Sequence, residues 1–340
     1  MRYLILSSAL ACLLLTTAAP AQTTKAALSS ELASFLDVKK SAFEKVTRQP
    51  LVTELDVPDR SRRIALAGLI QLKGSGAKLL DQLASAQAGT LLGPAQQDGF
   101  FSKPTSASNL KSLALPEGDF EVLADCEPSA CKFKLDHEGI VKAQSIDWKN
   151  PTGQTQFTDY FREFLAQYVE RYQEKGAPAL IVYDDKPKPF ALNLGSEMIR
   201  KQMSLTQSQV PELFAYLGEY PKNRPEEVTD LFYWSLKDFG YRPTLSVDLI
   251  VVDRSPLASG IKSTVILQTI YADHYLAARY QIGMLLDGEK ALGVPGEFLL
   301  LIDRVLFDDS LGGFKRRLLG SGMKDDLSDR LKSISEKTNP

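Results

Sequence analysis

Leu245-Ser246-Val247-Asp248-Leu249-Ile250-Val251 places apolar side chains at Leu245, Val247, Leu249 and Val251, the period-two pattern of a β-strand. Asp253 to Gly260 is rich in turn residues and reverses the chain. Val265, Leu267, Thr269 and Tyr271 then alternate with Ile266, Ile270 and Ala272, which predicts a second strand. A third, Phe298 to Phe307, is apolar on both faces apart from Asp303-Arg304. Beyond it the period changes. Leu319, Met323, Leu327, Leu331 and Ile334 form a stripe at helical spacing. The segment from Tyr271 to Leu286 fits either state, because Tyr275, Ala278, Ile282 and Leu285 also satisfy a 3.6-residue period.

The N-terminal part carries the same alternation. Leu51, Thr53, Leu55 and Val57 line one predicted strand, and Ile64, Leu66, Ile70 and Leu72 line another. The turn Pro58-Asp59-Arg60-Ser61 joins them as a hairpin. Helical spacing precedes it over residues 28–46 and follows it from Lys78 to Ala88. Gly93 to Leu115 is rich in Gly, Pro, Ser and Gln and reads as irregular. Asp136 is placed to cap a helix toward Trp148. The strongest helical pattern runs from Thr155 to Glu174, where Phe157, Tyr160, Phe161, Phe164, Leu165, Tyr168, Val169 and Tyr172 make a broad aromatic face. A short hairpin is expected over Ala179 to Leu192, with helices over Ser196 to Met203 and Val210 to Leu217. Glu226 to Phe239 stays ambiguous between helix and strand.

Arg2, an apolar run from Tyr3 to Leu15 and the small-x-small ending Ala19-Pro20-Ala21 predict a secretory signal over residues 1–21, cut after Ala21. A periplasmic or secreted location follows. A lipid anchor on Cys12 would split the apolar core, so the lipoprotein reading is set aside. No later segment has the run of about 20 apolar residues that spans a bilayer, so no integral membrane segment is expected in the mature chain. Lys plus Arg total 40 against 42 Asp plus Glu, which leaves no charge excess to attract nucleic acid. At 44% hydrophobic and 24% charged residues, the bulk of the chain is globular rather than disordered.

Cys126 and Cys131 survive processing and, in an oxidising compartment, are expected to pair as a disulfide. Pro128-Ser129 supplies the turn. Closing so short a loop contributes only about 2 kcal/mol. The alternative, a zinc site adding His137 and Asp125 or Asp136, is disfavoured by oxidation, and neither metal nor cofactor is expected. With only His137 and His274, two-histidine mechanisms have little to draw on. No G-x-S-x-G, P-loop or dinucleotide glycine pattern occurs. His137 reads as a surface residue. His274 reads as a core histidine or, in the functional alternative, as a ligand contact or general base. Lys315-Arg316-Arg317 is most simply a solvated helix end.

From Gln49 to Ala88 and from Pro243 to Lys337, the order of hairpin, helix, three antiparallel strands and long terminal helix resembles the START-like, or helix-grip, superfamily. Arg63-Ile64-Ala65-Leu66-Ala67-Gly68 is similar to that family's early strand, and Arg316-Arg317-Leu318-Leu319-Gly320-Ser321-Gly322 to the start of its closing helix. The whole chain also looks like a group of exported bacterial proteins, a likeness that supplies no activity. The resemblance implies an α+β fold, with a curved antiparallel sheet on a long C-terminal helix and a mostly helical central insertion. Residues 22–92 and 243–340 would build the helix-grip part and residues 93–242 the insertion. It further implies an apolar cavity between sheet and helix, with His274, Tyr271, Arg304, Gly322 and Met323 as its candidate lining. The expected function is periplasmic binding or carriage of an apolar or amphipathic small molecule such as a lipid. The alternatives are an enzyme on such a molecule with His274 as base, or an envelope protein-interaction module without ligand.

Overall fold

The computed structural model describes residues 25–46, 49–86, 90–238 and 242–339. The expected signal segment, with Cys12, lies outside them. The strands are β1 (Leu51–Glu54), β2 (Arg63–Gln71), β3 (Gln97–Phe101), β4 (Val182–Tyr183), β5 (Phe190–Ala191), β6 (Val228–Lys237), β7 (Thr244–Asp253), β8 (Ile261–Ala272), β9 (Leu276–Asp287) and β10 (Glu297–Phe307). The helices are α1 (Lys25–Phe35), α2 (Ala77–Ala84), α3 (Glu117–Ala124), α4 (His137–Gln144), α5 (Gly153–Lys175), α6 (Leu192–Arg200), α7 (Ser204–Gln209), α8 (Pro211–Glu219), α9 (Gly288–Ala291) and α10 (Gly313–Lys337). The fold is α+β. Eight strands form one antiparallel sheet in the order β1-β2-β10-β9-β8-β7-β6-β3. It runs uncurled, with β1 and β3 as its two edges, and α10 packs on its face.

Both faces of this sheet are covered, and that is why its central strands are apolar nearly throughout. On one face Ile266, Ile270, Ile282 and Ile302 join a core with residues of α1 and α3 to α8. The aromatic stripe of α5 belongs to this core: Phe161, Phe164 and Tyr168 each meet the ring of Tyr271. On the other face Leu66, Val265 and Leu301 pack with Leu79, Leu80 and Leu83 of α2 and with Leu327, Leu331 and Ile334 of α10. α10 runs along β1 and β2. Gly68 makes that approach possible, since a Cβ there would lie 2.5 Å from Leu331 Cδ1.

The segment from Tyr271 to Leu286 is strand: β8 ends at Ala272, Tyr275 turns the chain with φ 55°, and β9 follows. Glu226 to Phe239 contains β6. The stretch expected to be irregular contributes β3, paired with β6 from Gln97 to Phe101. Gly99 hid it from the sequence pattern, yet Gly99 is what lets the Trp234 indole lie on the strand, 2.8 Å from where a Cβ would sit. The central region thus supplies helices and also extends the sheet by two strands. The terminal helix begins at Gly313, so Gly320 and Gly322 are helical; at either, an added Cβ would meet nothing within 4 Å. Neither glycine marks close packing.

Because the grip of α10 rests on few side chains, Leu331→Ala should cost about 2–5 kcal/mol. Urea unfolding monitored by circular dichroism checks this; an unchanged midpoint would contradict the assigned packing.

Candidate functional site

The α10 face of the sheet carries a buried polar strip across successive strands. In β10, alternation turns Asp303 toward α10 and Arg304 toward the opposite, helical layer. Asp303 accepts from Arg279 Nε at 3.0 Å, from Arg279 Nη2 at 2.6 Å and from Gln281 Nε2 at 3.0 Å. Burial pushes the Asp303 carboxyl up, but the Arg279 guanidinium outweighs it and holds the group below the usual carboxylate range. Next along the strip, Asp248 accepts from Thr269 Oγ1 at 2.6 Å and from Ser246 Oγ at 3.1 Å. Lys237 Nζ donates to the Leu92 carbonyl at 2.8 Å, and burial pushes this ammonium down to about 8. Arg330 of α10 donates to the Leu91 carbonyl, while its Nε is buried without a partner.

Beside the strip runs an apolar seam between α10 and the sheet, lined by Leu91, Val265, Leu267, Leu301 and Leu327, with Gln281, Asp303 and Arg330 at its polar end. It continues under α2 past Gly76, Leu79 and Leu80. The space at the α10 seam is about 10 Å³, room for one water and no more. In this arrangement α10 fills the place where the resemblance puts a cavity.

The five lining residues expected from the sequence do not come together. Met323 packs at the margin of the α10 core and Gly322 is exposed on the same helix. Tyr271, His274 and Arg304 lie on the other side of the sheet. Tyr271 is fully buried and donates to the Lys134 carbonyl at 2.7 Å. Arg304 is buried among apolar neighbours, pairs with no carboxylate among the described residues, and is pushed down to about 10 by burial.

His274 belongs to a buried centre that the sequence did not reveal. Its Nδ1 is 3.1 Å from the Lys132 carbonyl and its Nε2 3.1 Å from Asp119 Oδ1. Arg242 reaches the same Asp119 oxygen at 3.3 Å. Asp273 accepts from the Leu245 amide through Oδ1 at 2.9 Å. Asp119 and Asp273 are fully buried. Burial pushes Asp273 up to about 7, with Asp119 adding to the rise against the opposing pull of His274. Burial alone would lower His274, but Asp273 and Asp119 together raise it. Neighbours on a continuing strand would face opposite sides, but β8 ends before Asp273 and His274, and the Tyr275 turn brings both to one centre. Asp119 is 155 residues away in α3, where no sequence period marks it.

Cys126 and Cys131 form the disulfide, with Cα atoms 4.5 Å apart. The Ser129 and Cys131 amides bond to the Asp184 and Asp185 carbonyls, fixing the clip that presents Lys132 to His274. His137 is at the surface, with Nδ1 2.8 Å from Asp184 Oδ2. The disulfide fits an exported protein, and no helix among the described residues is long and apolar enough to cross a membrane. No family model and no curated protein matches this chain.

Asp303→Asn should cost about 2 kcal/mol by weakening the charge-assisted bonds that the carboxylate accepts from Arg279 and Gln281. The folded carboxyl is held below its unfolded value of about 3.9, so its contribution is complete above that pH and disappears as pH falls through the folded value. Thermal unfolding from pH 7 to pH 3 should therefore be less acid-sensitive in Asp303→Asn than in wild type. Parallel pH profiles would contradict the pairing.

Proposed function

We propose that this chain is an exported, non-catalytic binding protein for an apolar or amphipathic small molecule, taken up between α10 and the sheet with α10 as a movable cover. The observation that carries this reading is the amphipathic lining of the α10 face. Val265, Leu267, Leu301 and Leu327 supply an apolar track, and Lys237, Arg279, Asp303 and Arg330 supply charged groups at one end of it. Burying both charge signs beside a leucine seam is an expensive way to build a core, because each ion gives up its hydration. A ligand with a polar head and an apolar body would use both parts.

The seam as it stands admits only a water, so uptake requires the cover to shift. Two features make α10 suited to that. Phe314 and Leu318 in its first turns are exposed, at 78% and 58%, and its buried apolar side chains are Leu327, Leu331 and Ile334. Glycines at 320 and 322 lower its intrinsic helical stability by about 1 kcal/mol each relative to alanine. A periplasmic or secreted location, reached through cleavage after Ala21, belongs to the same proposal. The enzymatic alternative has less behind it, because His274 is buried with both ring nitrogens engaged.

Native mass spectrometry of protein isolated from the exported fraction tests the reading. The expected result is an added mass of lipid size that organic extraction removes, and that Gly283→Leu, which fills the seam, diminishes. A bare mass, together with no uptake of fatty acid or phospholipid from vesicles, would overturn it.

A further inference from the structure

We infer that Asp119, Asp273 and His274 form a binding site for one divalent transition-metal ion such as zinc, buried on the face of the sheet opposite α10. One donor atom from each residue lies within 4.8 Å of the others. They come from α3 and from the turn between β8 and β9, so the site exists only in the folded chain.

Acidic residues near a histidine do not by themselves make a metal site, but two further observations point to a cation. The first is unsatisfied oxygen. Asp119 Oδ2 and Asp273 Oδ2 are buried with no hydrogen-bond partner, and both residues are fully buried. Oxygens of buried carboxylates left unpaired cost heavily unless a proton or a cation takes them. The second is the orientation of the imidazole. The Lys132 carbonyl can only accept, so His274 Nδ1 carries a proton and donates it. In the neutral ring Nε2 then presents a lone pair to Asp119 Oδ1 at 3.1 Å. A contact of that kind is bridged either by a proton or by a metal ion that takes both atoms as ligands. A carbonyl fixing the far nitrogen is also the usual outer support of a metal-bound histidine.

One donor spacing already matches a bound ion. Zinc bonds of about 2.0–2.1 Å in tetrahedral array separate neighbouring donors by roughly 3.3 Å, close to the His274 to Asp119 spacing. Two carboxylates and one imidazole make a mixed oxygen and nitrogen donor set that suits zinc and its first-row neighbours better than calcium, which takes six to eight oxygens. Arg242, 3.3 Å from Asp119 Oδ1, serves as an outer partner of that carboxylate. The cysteines are not donors, being tied to each other. The enclosing side chains include Phe133, whose ring stands edge-on to His274 at 5.3 Å. Such enclosure describes a structural ion that ties α3 to the β8–β9 turn rather than one that meets substrate.

The test uses the full mature chain, stripped with a chelator, dialysed and titrated with zinc chloride alone. The expected result is one zinc retained per chain through gel filtration, with nitrogen and oxygen neighbours at about 2.0–2.1 Å by X-ray absorption. Zinc should also raise the melting temperature of the stripped protein by at least about 5 °C. Asp273→Asn and Asp119→Asn should each weaken binding by at least about a hundredfold. His137→Ala, a surface change, should leave it intact. If a carboxylate variant fails to fold by circular dichroism, the wild-type titration decides alone. Stripped wild-type protein that retains no zinc, and whose melting temperature ignores both zinc and chelator, would overturn the inference and leave a protonated His274 bridging the two acids.

Discussion

Burial of one antiparallel sheet on both faces is the constraint that organises this molecule. A sheet whose strands are apolar nearly throughout must have a layer on each side, or it exposes an aggregation-prone surface. The chain meets this demand unequally. One side receives α1 and α3 to α8, with the aromatic face of α5 set against Tyr271. The other receives α2 and α10, and along β1 and β2 the cover is one helix, set over Gly68 by Leu327, Leu331 and Ile334 and tied by Arg316 to Glu54 and by Ser335 to the Gln71 carbonyl. The thinner layer is where the polar strip lies.

The two layers also divide the chemistry. Facing α10, opposite charges sit together in hydrogen-bonded contact, as Asp303 and Arg279 do, beside a leucine-lined seam. Facing the helical layer, the acids Asp119 and Asp273 crowd one histidine with oxygens to spare. The first arrangement suits reversible contact with a ligand that has a polar end. The second suits permanent retention of a cation, beneath the thicker helical layer. A disulfide clip holds the backbone that fixes the histidine, so the clip and the buried centre support each other.

The amphipathic elements were legible in the sequence because burial leaves a periodic trace. The hairpin of β1 and β2, the strands β7, β8 and β10, the helix α5 and the stripe of α10 all follow from spacing. What escaped has identifiable physical causes. β3 carries Gly99 to admit an indole, so it lacks alternation. β9 is buried on both faces, and a doubly buried strand has no polar phase to distinguish it from a buried helix. The buried centre was only half visible: His274 stood out as a lone histidine beside apolar strands, but its partner Asp119 is set by tertiary packing, and the reach of Asp273 depends on a turn that a continuing strand would not have made. The polar strip was glimpsed through Asp303-Arg304 alone, since its other members lie one per strand and meet only when the register is known.

As a movable cover, α10 is less stable than the sheet beneath it. Native-state hydrogen exchange, resolved by peptide mass spectrometry, measures this directly. Amides of residues 313–337 should open at a free energy well below that of β7 to β10, at a level independent of global unfolding. Exchange of α10 and the strands together, in a single cooperative event, would contradict it.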